Sequence, residues 1–100
     1  MVRLIALFED IPDVAAFRSL YEAQHLPLAQ RMPGLCALRH QAAESLRGRP
    51  VRYVGELLFP DRDTLNVALR SVEGFAAAKT LSSLPCREIT LFIVEGGFES

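Results

Sequence analysis

The segment Phe17-x3-Tyr21-x3-His25-x-Pro27 sets two rings that can hold or move a proton one helical turn apart. An imidazole titrates near neutrality, so His25 suits general acid or base work at a carbonyl or hydroxyl of a small substrate. Tyr21 adds a phenol whose ring packs in a core while its hydroxyl reaches a partner, which also makes it a candidate for substrate contact. Pro27 removes a backbone donor and crowds the carbonyl of Ala23, so the helix is expected to bend or loosen there. Either the bend tips the imidazole into a pocket, or the ring donates to the freed Ala23 carbonyl and fixes the helix end. Glu56 is a second catalytic candidate, because a carboxylate inside the apolar run from Val51 to Phe59 is costly unless paired or wetted by a cavity. It can orient His25, hold a cation, or lie across from a basic residue such as Arg3. Tyr53, in the same run, is a candidate for substrate contact, and His40 is expected in solvent on an edge strand.

The elements that must position these groups follow from periodicity. Residues 2–9 read as a strand, and Asp13 is placed to cap a helix that runs to about residue 30 with Phe17, Leu20, Tyr21, Gln24 and Leu28 on its core-facing stripe. Pro33 and Gly34 stop that helix. Strands are expected from near Leu35 to Ala42 and from Val51 to Phe59, joined as a hairpin through a polar loop. Asp61 or Asp63 caps a second helical region with a possible break at 71–74, Pro85 ends it, and 88–95 is the strand richest in β-branched and apolar residues. The order βαββαβ predicts an α+β, ferredoxin-like plait with an antiparallel four-stranded sheet in the order 4-1-3-2.

The strands are apolar on both sides. Ile89, Leu91 and Ile93 alternate with Phe92 and Val94, and Tyr53, Leu57 and Phe59 alternate with Val54 and Leu58. Two helices cover one face only, so a second copy of the sheet, related by a two-fold axis, is expected on the other.

Composition narrows the function. A chain of 100 residues with 50% apolar and 23% charged side chains is read as one domain over residues 1–100 of ordinary globular make-up. A net charge of −1 offers no global attraction for nucleic acid or an acidic membrane. Arg39, Arg47, Arg49 and Arg52 crowd the hairpin, but no aromatic ladder accompanies them, so a solvated edge rather than a nucleic-acid platform is expected. The N-terminal apolar run is shorter than a signal-peptide core and no run is long enough to span a membrane, so a cytoplasmic location is expected. Cys36 and Cys86 have no metal-ligand or redox spacing. They are expected as free, partly buried thiols, too far apart across the sheet to form a disulfide. The "EGGF" stretch opens no helix and is not a phosphate loop.

With its "YEAQHLPL…PGL" segment, supported by "ELLFPDRDTL", the chain resembles the EthD family of the dimeric α+β barrel superfamily over essentially its whole length. The resemblance implies a homodimer with face-to-face sheets and a small, mostly apolar pocket between sheet and helices. EthD-like proteins are associated with bacterial degradation of fuel ethers beside an oxidative system. Related barrels include muconolactone isomerases, cofactor-independent monooxygenases, polyketide cyclases and haem-handling proteins. The expected function is therefore to bind or transform a small apolar organic compound without a tightly bound cofactor, with His25 moving a proton in an isomerisation, dehydration or assisted oxidation. The alternatives are a non-catalytic module that carries a ligand for an oxygenase, and a haem-handling protein with His25 as axial ligand.

Overall fold

A computed structural model describes residues 1–96; Gly97 and Phe98 of the "EGGF" stretch lie outside the described residues. Strand β1 (Val2–Glu9) leads into helix α1 (Val14–Leu20), a π-helical turn (Tyr21–His25) and a short α2 (Leu26–Ala29). The hairpin β2 (Ala37–Ala42) and β3 (Val51–Phe59) follows, then α3 (Arg62–Arg70), α4 (Val72–Leu81) and β4 (Glu88–Glu95). The strands pair antiparallel as β2-β3-β1-β4, which is the expected 4-1-3-2 order seen from the other edge.

Local chemistry accounts for the boundaries. The Asp13 and Asp61 carboxylates accept from the amides of Ala16 and Thr64, capping α1 and α3. Ser71 divides the second helical region: its hydroxyl donates to the Ala68 carbonyl at 2.6 Å and accepts from the Gly74 amide at 3.0 Å, so one side chain closes α3 and opens α4. Gly34, at φ +80, turns the chain out of the first helical arm in a left-handed conformation open to glycine.

The helices cover one face of the sheet, and the core beneath them is in two parts. One gathers Phe8, Phe17, Tyr21 and Tyr53 as an aromatic cluster, with Phe8 and Phe17 ring centroids 5.0 Å apart. The other packs Val2, Leu57 and Phe59 against Ala29, Leu65, Ala68 and Ala77.

Three expectations are corrected. Gln24 is exposed, and His25 with Ala29 continues the buried stripe from Phe17 and Tyr21. In a regular helix each four-residue step overshoots by about 40°; the wider π-turn takes up part of that drift and keeps every fourth residue inward. Arg49 is not simply solvated, because its guanidinium binds both the buried Glu9 carboxylate and Glu88, tying the hairpin loop to the end of β1. Cys36 is exposed and Cys86 half-buried, and both are free thiols.

Candidate active site

The π-turn converts a helix defect into a site. Pro27 cannot supply the amide that would bond the Ala23 carbonyl, and the widened turn bonds instead from the Leu26 amide to the Tyr21 carbonyl. The defect therefore falls on the turn before the proline and includes both Tyr21 and His25. Their rings meet edge to face with centroids 4.9 Å apart. Both line a cavity of about 70 Å³ where the two halves of the core meet, walled by Leu4, Ala6 and Leu57 of the sheet and by Ala77 and Leu81 of α4. Leu91 and Leu69 stand at its exposed rim, at 54% and 39% accessibility.

His25 is 5% exposed and does not turn to the Ala23 carbonyl. Its Nδ1 lies 3.0 Å from Oγ1 of Thr80 on α4, and the Thr80 hydroxyl in turn donates to the Ala77 carbonyl at 2.9 Å. Burial pushes the imidazole below its ordinary pKa, and a hydrogen bond to the Ala77 backbone recovers part of that shift. The ring is neutral at physiological pH and thus a base rather than an acid. Burial raises the Tyr21 phenol far above its ordinary value, so it stays protonated and can donate. Its hydroxyl is seated against Gly55 in the middle of β3, where a β-carbon would stand 2.8 Å from the phenolic oxygen. Only a residue without a side chain leaves room for that approach.

The structure does not bring the other candidates to this cavity. Glu56 projects from the open face of the sheet, where its two oxygens meet Arg3 at 3.0 Å and Arg39 at 2.7 Å. Burial raises its pKa, but the hydrogen bonds from Arg39 and Arg3 outweigh this and leave the carboxyl below its ordinary value. The sheet itself separates it from His25. Tyr53 is fully buried on the helix side, outside the lining of the cavity; its hydroxyl accepts from Arg18 Nε at 3.2 Å and lies 2.6 Å from Nδ1 of His40.

His40 was expected in solvent and is instead half-buried beneath the helical arm, its ring 4.8 Å from that of Tyr21. The signal was present in the sequence: Leu38 and His40 alternate toward the helix face, and His40 pairs across the ladder with Gly55. Thr80 carried no signal, since a threonine near a helix end is ordinary.

An antiparallel sheet in this order with helices on one face defines a ferredoxin-like α+β protein, and comparison with solved structures places the chain more closely. An ethyl tert-butyl ether D (EthD) family protein from Bacillus halodurans superposes with a TM-score of 0.85 at 32% identity, covering 97% of this chain and 99% of that one. The chain belongs to the EthD family. An uncharacterised 11.0 kDa protein of the thcB-thcC intergenic region of Rhodococcus erythropolis is 26% identical over 97 residues, 95% of this chain and 94% of the relative. More distant structures share the fold. A dimeric ferredoxin-like protein of unknown function from Thermobifida fusca gives a TM-score of 0.64 at 14% identity, over 93% of this chain and 88% of that one. SnoaB, a cofactor-independent oxygenase from Streptomyces nogalater, gives 0.62 at 21% identity, over 99% and 97%. No family model matches the sequence.

Proposed function

We propose that this EthD-family domain binds a compact, mostly apolar organic compound carrying a carbonyl or phenolic oxygen and moves a proton on it, without a tightly bound cofactor, in bacterial catabolism or secondary metabolism. The observation that carries the reading is the pair of polar rings, His25 and Tyr21, set in an otherwise apolar cavity. Neutral His25 takes a proton from the carbon next to the carbonyl, or from a phenol. Tyr21 donates a hydrogen bond to the oxygen on which negative charge develops. The imidazolium returns its proton at another carbon for isomerisation, or to a departing hydroxyl for dehydration; an enolate left unprotonated is the species that an oxidation would need. The cavity of about 70 Å³ favours a small ligand over a haem, since pockets for drug-sized ligands begin at roughly 300 Å³.

The second reading, a module that holds a ligand for an oxygenase, rests on the same apolar walls and needs no chemistry from His25. Cyclohexanone in D2O separates the two. Proton transfer predicts that the protein accelerates deuterium uptake at the α-carbons, and that His25→Ala removes about 10²- to 10⁴-fold of that acceleration while ketone binding persists. Binding without accelerated exchange favours the holding module. Exchange as fast in His25→Ala as in the native protein removes His25 from the mechanism.

A further inference from the structure

We infer that Thr80 is a positioning residue for His25: it holds the imidazole as the Nδ1–H tautomer and leaves Nε2 as the basic nitrogen. The hydroxyl of Thr80 has one proton, and that proton is directed at the Ala77 carbonyl, 2.9 Å away. What the oxygen presents to His25 Nδ1, at 3.0 Å, is therefore a lone pair, which requires a proton on that nitrogen. An unprotonated Nδ1 would put lone pair against lone pair at that contact.

The bond from a threonine hydroxyl to a carbonyl three residues back is common in helices and by itself means little. Its consequence comes from where α4 crosses the π-turn, which sets this hydroxyl against the one imidazole in the cavity wall. Nε2 is left to take a proton from a ligand, and the ring cannot turn over about χ2 without losing the Nδ1 contact to Thr80. The role completes the proton-transfer reading given above and rests on it, but the tautomer can be tested without any substrate.

The experiment is a long-range ¹H–¹⁵N correlation spectrum of histidine-labelled protein at pH 8, with His25 assigned by its absence in His25→Gln. The native protein should show a single Nδ1–H tautomer for His25. Thr80→Val keeps the side-chain volume and removes the hydroxyl; its spectrum should move toward the Nε2–H form, and Thr80→Ser should restore the native pattern. Cyclohexanone exchange should fall at least about tenfold in Thr80→Val and recover in Thr80→Ser, roughly one tenfold step in barrier. An Nε2–H His25 in the native protein, or an unchanged tautomer in Thr80→Val, overturns the assignment. If the tautomer behaves as expected but native protein exchanges no deuterium, the role of Thr80 stands and the proton-transfer reading alone fails.

Discussion

At the scale of single residues, His25 is a histidine kept neutral by its surroundings, and this has a sign that can be measured. Its pKa in the folded protein lies below the 6.5 of the free side chain because burial disfavours the charged ring. Protons therefore bind the unfolded chain more readily, so the stability tied to this group is complete above about pH 6.5 and is lost as pH falls toward the folded-state value. Glu56 acts in the same sense but in a lower window, since its folded pKa lies below 4.5. A urea-unfolding midpoint followed from pH 7.5 to about 3.5 should decline in the native protein, and His25→Gln should flatten the part of that decline below about pH 6.5 while leaving the loss below about pH 4.5 in place. A native slope unchanged by the substitution would mean that the ring is more solvated than its 5% exposure indicates.

The elements do a different job, which is to bring α4 and the π-turn to the same point. Pro27 marks the defect in the chain itself, because a residue with no amide proton must leave one carbonyl without its helical donor. Which turn absorbs the defect was not legible. The sequence pointed to the turn at Ala23 and Pro27, whereas the widening takes in all of Tyr21–His25 and so changes the phase of everything after Tyr21. Strict 3.6-residue spacing sends Gln24 inward, and the widened turn leaves it exposed. On the opposite wall the elbow between α3 and α4 depends on one hydroxyl, that of Ser71, which caps both helix ends. Ser71→Ala should destabilise the fold by about 0.5–2 kcal/mol, as losses of an N-cap do. Because Leu69 and Gly74, on either side of that elbow, line the cavity, ketone affinity should fall with it. Calorimetry and a binding titration on one preparation check both, and a variant as stable as the native protein would show the elbow to be held by packing alone.

For the whole molecule, the unanswered surface is the open face of the sheet. Ile5, Leu7, Val54, Leu58, Phe92 and Val94 share it with the Arg3–Glu56–Arg39 cluster, and among the described residues no helix covers it. An apolar sheet face of that extent is unfavourable in water. We expect a homodimer with these faces in contact, burying more than about 2,000 Å² in total, as obligate interfaces do. Sedimentation at micromolar concentration should give twice the chain mass. Phe92→Asp, which puts a charge at the centre of the contact, should shift the protein to monomers. A native monomer at those concentrations would sink the expectation, and a dimer untouched by Phe92→Asp would place the contact elsewhere.

The sequence by itself determined the order of elements, the two-sided strands, the capped helix starts and the pairing of Tyr21 with His25. Each of these is written in local spacing: period two for strands, three to four for helices, and a side chain beside the amides that it caps. It also held the sidedness of Glu56 and His40, since alternation with Leu57 and Leu38 sends one outward and the other inward. What only the tertiary structure decided is the partner of each polar group. Thr80 meets His25 from 55 positions away, Arg49 reaches Glu9 from 40, and the cavity exists because two clusters built from distant segments fail to close on each other. A side chain's spacing fixes the face it occupies, but a hydrogen bond requires atoms within about 3 Å. That precision comes from how whole helices cross the sheet, which no local pattern encodes.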